Sequence, residues 1–502
     1  MRILGLLFSQ QLQVLAAVDL EGDRHMATSK TGNPVSVEKR SVDWVPHKER
    51  HGKARDLGNV WFVGNVNLVA MATGVVALSI GANLIWTLIA IVLGSLFGTF
   101  FMAFHSAQGP QLGLPQLVQS RAQFGYLGAA VTVWIFALVN YWAYNTADAI
   151  LSGSAINALI PSIPANIGFI IAAVIASVIA IYGYDQIHAV NRVLLWPSVI
   201  VLVFLTLGVF ARGSFPAGAF DIGNFQLAPF MTVFVIIAGF QLGWSPYVSD
   251  YSRYLPGDVG VSSTFKWTYL PSALSGVWVF GLGALASSPD GTLSPIAAFK
   301  TVGDSIFNGL GFVAVFVLLI GLLAVMSINA YGGSLALISM LDSFKPVNPT
   351  KKLRMIAVIF MGVTVWFTAA VVGEESFNAF YGTALVFLAY LFTPWTAINL
   401  IDYFFVRKGS YVISEIFKSN GIYGRWGWRG NLAYLIGILS MVPFFVTGPF
   451  VGPIAQSLGN VDYSIFIGLP VSAIAYLILA KGIDLKKERS LASAEGNLTT
   501  KH

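Results

Sequence analysis

The sequence predicts an all-α integral membrane protein whose chain crosses the bilayer twelve times. Only 10% of its 502 residues are charged, against about 25% in a typical soluble globular protein. Hydrophobic residue types make up 56% of the chain, which is more apolar surface than a soluble fold can bury. Twelve apolar stretches are each long enough to cross a hydrocarbon core of about 30 Å as a helix. None of them shows the alternation of barrel strands.

The twelve predicted spans are numbered in chain order and divide the chain into three parts. Residues 1–57 form a cytoplasmic N-terminal segment, residues 58–481 a twelve-helix membrane domain, and residues 482–502 a cytoplasmic tail that we expect to be disordered from residue 484. Residues 1–25 are expected to lie upstream of the natural start at Met26 or to form a tail without function. The predicted spans are 58–83, 85–105, 124–152, 165–184, 191–212, 227–253, 267–288, 307–341, 353–373, 377–406, 431–450 and 462–481.

Basic residues lie almost entirely on one side of the predicted spans. Of the 29 Lys and Arg residues, all but Arg212 and Lys300 fall in the N-terminal segment, in the tail or in the loops on that same side. By the positive-inside rule this side is cytoplasmic, and an even number of spans places both termini there. The net charge of +6 is therefore explained by basic residues that flank the predicted spans, and it does not indicate a nucleic-acid partner.

Motifs of soluble enzymes are absent from the sequence. There is no Gly-rich phosphate loop ending in Lys-Ser/Thr, no HExxH and no GxSxG. The chain also has no cysteine, which excludes thiolate zinc sites and cysteine nucleophiles. These observations argue against an ATP-driven pump or a hydrolase, and we predict no metal and no cofactor. Polar and glycine-rich interruptions of apolar spans remain, and they are typical of a transport site.

Spans one and six carry such interruptions at positions that correspond in a five-plus-five inverted repeat. Span one contains GNVNLVAMATG, with Asn65 and Asn67 in the middle of an apolar run. A locally unwound, ligand-facing segment explains these residues, and so does close packing with amides that bond across helices. Span six contains AGFQLGWSPYVSDYSRYLP, where Gly and Pro residues around Gln241 and Trp244 weaken a continuous helix. We expect span six to be broken there.

Span three contains NYWAYNTAD, which places Trp142, Asn145 and Thr146 on one face of a helix. An indole beside an amide and a hydroxyl is suited to a flat heteroaromatic ligand, since the ring can stack while the polar groups bond to the ligand edge. The alternative is an interfacial aromatic belt, to which Tyr141 and Tyr144 would also belong.

Span eight contains MSINAYGGS, in which Ser327 and Asn329 are the central polar groups. The two glycines that follow indicate close helix packing. Few acidic residues lie within reach of the spans. Asp402 has Arg407 close in sequence, which favours a structural ion pair, whereas Asp148, near the outer end of span three, has no Lys or Arg close to it in sequence.

Two segments of the sequence resemble the nucleobase:cation symporter-1 family, and within it the purine–cytosine permease branch. They are GWSPYVSDYSRYLP in span six and PWTAINLIDYFFVRKG, which closes span ten; GNVNLVAMATG and SINAYGGS fit the same branch in the right order. The likeness extends over residues 55–481. It implies a LeuT-type fold in which spans one to five (58–212) and six to ten (227–406) are inverted repeats, with spans eleven and twelve (431–481) as accessory helices.

The resemblance also implies a substrate site at mid-membrane between spans one, three, six and eight. Asn67 falls at the ligand-facing position of broken span one, and Trp142 matches the stacking Trp of span three, with Thr146 one turn further on. Gln241 and Trp244 lie in the broken segment of span six, where relatives place a second aromatic residue. Asn329 matches the amide of span eight.

One departure from the family pattern concerns the coupling ion. Sodium-coupled relatives carry adjacent hydroxyl residues about one and a half turns before the span-eight amide, whereas residues 322–326 here are LLAVM. Sodium prefers oxygen ligands, so this departure favours proton coupling, although backbone carbonyls could still hold sodium. Asp148 is our candidate proton acceptor, with a role at the helix end as its alternative.

Together these features predict a secondary active transporter in the plasma membrane. It would import a nucleobase, cytosine or a purine, with H+ by alternating access. The alternatives are a Na+- or H+-coupled carrier of another flat heterocycle, such as allantoin, a hydantoin, thiamine or a pyridoxine-type vitamin, and a membrane nutrient sensor that does not transport. The only partners expected are the small-molecule base, the coupling ion and the lipid bilayer, and the oligomeric state is not predicted.

Overall fold

The computed structural model describes residues 43–182, 184–213, 215–289, 294–345, 347 and 350–495, without the side chains of residues 182–195. Residues 1–42 of the predicted N-terminal segment, including the expectation for residues 1–25, lie outside the described residues. The regular secondary structure of the described residues is helical, apart from one isolated antiparallel bridge between Val446 and Val451. The prediction of an all-α protein is therefore confirmed.

Helices form within every predicted span. In chain order the long helices and the halves of broken ones are Asp56–Gly64 and Leu68–Ser79 (span one), Leu84–Ser106 (two), Ile135–Leu159 (three), Ala165–Tyr182 (four), Tyr184–Arg212 (five), Leu227–Leu242 and Val248–Ser252 (six), Val261–Ser287 (seven), Leu310–Phe344 (eight), Lys351–Val372 (nine), Phe377–Ile401 (ten), Trp428–Met441 (eleven) and Ser464–Ala480 (twelve).

Six stretches of the described chain are long and apolar enough to cross a membrane as they stand. They contain spans two, three, seven, eight, nine and ten. Two further stretches are long and apolar enough when each bent helix pair is counted as a single span, and these contain spans one and twelve. The apolar helices described in spans four, five and six are shorter. The chain is thus a multi-pass membrane protein, while twelve crossings and cytoplasmic termini stay predictions.

The break predicted in span one is present. Residues 65–67 are not helical, and the helices on either side meet at an angle of 51°. Asn67 has extended backbone and caps the second helix, because its side chain accepts from the N–H of Ala70 at 2.8 Å and donates to the carbonyl of Gly64 at 2.7 Å. This is the ordinary use of Asn at a helix N-cap.

The break predicted in span six is also present, because residues 243–247 form turns between its two helices. Span three extends to Leu159, beyond its predicted end at residue 152, because polar and small residues continue the helix inside the bundle. Span eleven is shorter than predicted. Its helix ends in a 3₁₀ turn, Val442–Phe444, because Pro443 has no N–H to make the next α-helical hydrogen bond.

The bundle core brings the predicted site elements together. Span one packs on span seven, span two on span six, and span three on span eight. Gly332 of span eight allows the last of these contacts, because a Cβ there would lie 2.6 Å from the hydroxyl of Tyr141. The ring of Tyr141 also packs against that of Tyr247 in span six at a tilted angle, with centroids 4.6 Å apart. Tyr141 therefore lies in helix contacts rather than in an interfacial belt, and the predicted role of the glycine in packing is confirmed.

The last part of the N-terminal segment is folded against loops of the membrane domain. Arg50 donates to the carbonyls of Val45 at 3.0 Å and Pro110 at 2.7 Å. Burial lowers the pKa of Arg50 to about 10, so it stays charged at neutral pH. The N–H of His51 donates to the carbonyl of Tyr254 at 2.6 Å.

The prediction of a tail disordered from residue 484 is wrong for residues 485–494. They form the helix Leu485–Ala494, which follows span twelve at an angle of 85°. Asp484 caps it by accepting from the N–H of Lys487 at 3.1 Å. Glu488 binds Arg407 through both carboxylate oxygens, at 2.8 and 3.2 Å. These polar contacts to a distant loop hold the tail, and sequence periodicity does not reveal them.

Candidate functional site

The breaks of spans one and six lie next to each other. A Cβ on Gly64 would lie 3.9 Å from the Trp244 ring, and Trp244 also meets Trp61 edge to face with centroids 5.9 Å apart. Asn65 donates to the carbonyl of Ser272 on span seven at 2.9 Å. Asn65 therefore follows the packing alternative, while Asn67 beside it ends the unwound segment as a helix cap.

The break of span six also faces span three. Asn140 donates to the carbonyl of Gly243 at 3.4 Å and to the Tyr247 hydroxyl at 3.0 Å. The hydroxyl of Tyr144 lies 3.5 Å from the carbonyl of Phe240. Tyr144 is thus inside the bundle, and it too is not part of an interfacial belt. Because broken helices leave main-chain groups without helical partners, these contacts mark a region where backbone can meet a ligand.

Spans three and eight are joined by a carboxyl–amide contact. Asn329 Nδ2 donates to Asp148 Oδ2 at 3.3 Å. Asp148 is completely buried, and its Oδ1 has no hydrogen-bond partner among the described residues. Asn329 is only half-buried. The structure therefore brings together the predicted proton acceptor and the predicted base-binding amide, although sequence analysis treated them separately.

Several other candidate side chains bond to protein groups. The Thr146 hydroxyl donates to the carbonyl of Trp142 at 2.9 Å, and that of Ser327 to Leu323 at 2.7 Å. Gln241 donates to the carbonyl of Ser272 at 3.4 Å. These groups meet helices in this structure, so a ligand would have to compete for them.

Asn145 links spans three and eight. When the amide is oriented so that both its nitrogen and its oxygen have partners, Asn145 donates to the carbonyl of Met326 at 3.1 Å and accepts from the N–H of Ala330 at 3.2 Å. The two aromatic candidates, in contrast, keep partly uncovered rings. Trp142 and Trp244 are half-buried, and Trp142 meets Phe380 edge to face with centroids 6.2 Å apart. Of the candidates, Trp142, Trp244 and Asn329 therefore have surface to offer a ligand.

Two tyrosines near Asp148 were missed by sequence analysis as site residues. The Asp148 carboxyl lies within electrostatic range of Tyr144 and Tyr381. The rings of these tyrosines meet edge to face at 6.0 Å, and Thr73 of span one donates to the Tyr381 hydroxyl at 3.3 Å. Tyr381 lies in the second turn of span ten, so only the fold brings it beside span three, and no local sequence motif predicts this.

A cavity of about 800 Å³ lies at the ends of spans one, three, six and ten that are predicted to face outside. Ile150 and Leu151, which follow Asp148 on span three, line it, as does Gly382, which follows Tyr381. None of the predicted substrate-binding residues lines this cavity. The cavity therefore reaches the neighbourhood of Asp148 without exposing its carboxyl.

On the opposite side of the bundle, spans two, six and ten are joined by buried amides, hydroxyls and an imidazole. Gln116 lies at the centre, with Nε2 3.1 Å from His105 Nδ1 and Oε1 accepting from Ser249 at 2.5 Å. Gln108 donates to Asn399 at 2.8 Å. His105 stacks on Trp395 with centroids 4.5 Å apart. Spans two, six and ten are thereby held together at the end predicted to be cytoplasmic.

Comparison with known proteins places this geometry in a family. The family model described as a permease for cytosine/purines, uracil, thiamine and allantoin matches residues 44–468. The chain is 36% identical to YxlA of Bacillus subtilis (strain 168), a predicted purine-cytosine permease, over 89% of this chain and 96% of that one. It is 25% identical to the purine-cytosine permease fcyB of Emericella nidulans, over 89% and 88% of the two chains.

Solved structures give the same fold. An inward-facing structure of Mhp1 matches with a TM-score of 0.69 at 18% identity and covers 94% of this chain and 100% of that one. A closed structure of Mhp1, a nucleobase-cation-symport-1 family transporter with bromovinylhydantoin bound, matches with a TM-score of 0.66 at 19% identity, covering 91% and 100%. The fold and the sequence match agree, and the chain therefore belongs to the family of permeases for cytosine/purines, uracil, thiamine and allantoin, as a membrane transporter rather than an enzyme.

Proposed function

We propose that this protein is a secondary active importer of a nucleobase, cytosine or a purine, coupled to H+ and located in the plasma membrane with both termini cytoplasmic. The observation that carries the proposal is the junction of two interrupted helices, at Gly64 and Trp244, beside span three. Interrupted helices at matching repeat positions are a recurrent way to build a transport site. The purine-cytosine permease names of YxlA and fcyB support the substrate class.

We infer that aromatic and amide side chains of spans three, six and eight bind a flat polar ring at this junction. Trp142 supplies an indole for stacking, and Asn329 supplies an amide for the edge of the base, and both are half-buried. A second aromatic surface is available on Trp244. Stacking between aromatic groups contributes about 0.5–1.5 kcal/mol beyond burial. Each amide bond adds selectivity, because a base lacking the matching group leaves a buried polar atom unpaired.

Asp148 supports coupling to protons. Its carboxyl is completely buried, meets no basic group among the described side chains, and has one oxygen without a hydrogen-bond partner. Acidic residues within membrane helices are costly and typically serve proton relays or ion pathways. Protonation would neutralise the Asp148 carboxylate before the binding site opens to the other side of the membrane.

Alternating access is supported by the difference between the two ends of the bundle. One end has the cavity of about 800 Å³, while the other is closed by the hydrogen bonds of Gln116, Gln108 and Asn399. Breaking these hydrogen bonds while the cavity closes would turn access toward the opposite side of the membrane. Rocking of repeat halves around a fixed site is the usual form of this motion.

Uptake into cells lacking their own base transporters tests the proposal. Radiolabelled cytosine, adenine, hypoxanthine, uracil and allantoin would be offered separately, with choline replacing sodium and with or without a protonophore. We expect concentrative uptake of cytosine or a purine that survives sodium removal and is abolished by the protonophore. Preference for allantoin, or strict dependence on sodium, would contradict the substrate or the coupling ion respectively. Binding without any uptake of the five compounds would favour a sensor.

A further inference from the structure

We propose that the amide of Asn329 is shared between Asp148 and the substrate, so that base binding and protonation of Asp148 favour each other. The inference rests on the proposed function. It adds how base binding would be linked to protonation of Asp148. It names Asn329 as the positioning residue for the proton as well as a contact for the base. No separate relay between the two sites is then required.

The geometry of the contact is that of a loosely held donor. Asn329 Nδ2 lies 3.3 Å from Asp148 Oδ2, whereas N–H···O hydrogen bonds in proteins most often measure about 2.9–3.0 Å. Asp148 is completely buried, and Asn329 is half-buried. The amide thus has one side against the carboxyl and is partly exposed on another.

Asp148 has few groups that could replace this donor. An ionised carboxylate offers about four acceptor positions, but Asn329 makes the one hydrogen bond to Asp148 found among the described residues. Among the ionisable groups, the hydroxyls of Tyr144 on span three and Tyr381 on span ten lie within electrostatic range of Asp148. Loss of the Asn329 bond would leave a buried charge without support.

Charged groups on the other packed elements do not neutralise Asp148. On the helix Pro295–Ile306, Lys300 pairs with Asp304 at 3.3 Å. The basic residues of span nine lie in its first turn, at 351, 352 and 354. The second helix of span one and the described part of span four, which both pack on span three, contain no Lys, Arg, His, Asp or Glu. The one acidic side chain of span eight, Asp342, is more than three turns from Asn329.

Sharing of the amide follows from these contacts. When a base accepts from Asn329 and turns its amide away from Asp148, the carboxylate loses its donor and becomes more costly to bury. It then takes one proton from solvent, which converts the carboxylate to the neutral acid. Conversely, the neutral acid holds the amide less firmly than the carboxylate does, because charge-assisted hydrogen bonds are stronger. Base and proton therefore raise each other's affinity by the same factor.

Calorimetric titration of the purified protein tests this sharing directly. Cytosine, adenine and hypoxanthine would be titrated in sodium-free solution in two buffers with different enthalpies of protonation. We expect the wild type to take up a proton on binding, up to about one per base, and its affinity to rise by up to about tenfold for each unit fall in pH. Asp148→Asn should bind without proton uptake and without pH dependence.

Asp462→Asn is the matched control because Asp462 is another buried carboxyl, bonded to the N–H of Ser464 at 2.9 Å and to the Tyr390 hydroxyl. It should keep the proton uptake. Asn329→Ala and Asn329→Ser should bind the base more weakly and without proton uptake although Asp148 is present. If both bind too weakly to measure, the wild type and Asp148→Asn still decide the sign and the site of proton uptake.

The outcomes separate this inference from the proposed function. Binding by the wild type with no proton uptake, or with proton release, overturns the sharing of the amide while leaving a base transporter. Unchanged proton uptake in either Asn329 variant overturns it as well. Failure of all three bases to bind would instead contradict the proposed substrate class, and the inference that rests on it.

Discussion

Two aspartates buried in this protein have very different surroundings. Asp402 begins a π-helical turn at the end of span ten and accepts from Gln123 and Tyr411 at 2.7 Å, from Tyr476 at 2.8 Å and from the Arg407 guanidinium. Asp148 has one amide donor at 3.3 Å and an oxygen without a partner. Both are completely buried in apolar helices.

The difference separates a structural carboxylate from one suited to exchange a proton. The charge of Asp402 is matched by Arg407 and by three further donors, so a proton there would break an established set of bonds. The charge of Asp148 meets neither a cation nor a full set of donors among the described residues. Burial alone therefore does not distinguish the two aspartates, whereas their hydrogen-bond partners do.

The largest effect on stability is expected at Asp402, which has several hydrogen-bond partners and an ion pair with Arg407. Asp402→Ala should lower the free energy of unfolding by about 3–5 kcal/mol, because it leaves Arg407 buried with part of its charge uncompensated. Thermal unfolding of the detergent-purified protein measures the loss. Asp148→Asn is the matched variant and should unfold at the wild-type temperature or above it. Equal losses in the two variants would remove the distinction between the sites.

Trp142→Ala should abolish base uptake or nearly so, because the half-buried indole is the proposed stacking surface in span three. Trp142→Phe should keep part of the uptake. Trp366→Phe is the control, since Trp366 is an exposed indole on span nine. Initial uptake rates at equal surface expression provide the comparison. Normal apparent affinity in Trp142→Ala would rule out stacking.

Asn329→Ala should weaken base binding by about 5- to 150-fold, as expected when a buried hydrogen bond worth about 1–3 kcal/mol is lost. Equilibrium binding of radiolabelled base to membranes measures this effect. Asn157→Ala is a comparable amide change on span three, where Asn157 bonds to the carbonyl of Ile163 at 2.8 Å. It should leave affinity unchanged, and wild-type affinity in Asn329→Ala would show that the amide serves helix packing alone.

The smallest effect is expected at the edge of the Asp402 site. Glu488→Gln keeps an acceptor for Arg407 but removes its charge, and it should cost about 1 kcal/mol or less, since Asp402 still balances the guanidinium. The unfolding temperature should fall slightly, with uptake intact. A loss as large as that of Asp402→Ala would mean that the tail helix, rather than the Asp402 contacts, holds this end together.

The sequence was sufficient for the features set by local chemistry. Long apolar stretches predicted the helices, and Gly, Pro and Asn residues predicted both breaks, because these residues weaken helices wherever they stand. The Asp402–Arg407 ion pair also followed from spacing. Contacts between distant segments did not follow. Tyr381 reaches Asp148 only through the packing of span ten, and Glu488 reaches Arg407 only because the tail folds back.

The candidate site shows the same division. Trp142 and Asn329 were identified from motifs and family resemblance, and their roles stay predictions. The bond between Asp148 and Asn329 could not be read from positions 181 residues apart on different helices. Nor does the sequence show that Asn67, Asn145, Thr146 and Ser327 bond to protein groups, since an amide or hydroxyl in an apolar span has the same appearance in either role.

Concentrative uptake by proteoliposomes tests most directly whether Asp148 couples base transport to protons. Wild-type protein and Asp148→Asn would be reconstituted without sodium, with an acidic exterior and radiolabelled cytosine, adenine or hypoxanthine outside. We predict that the wild type accumulates base above the outside concentration, while Asp148→Asn exchanges labelled for unlabelled base but does not accumulate it. Accumulation by Asp148→Asn equal to that of the wild type, or accumulation only when a sodium gradient is supplied, would contradict the account.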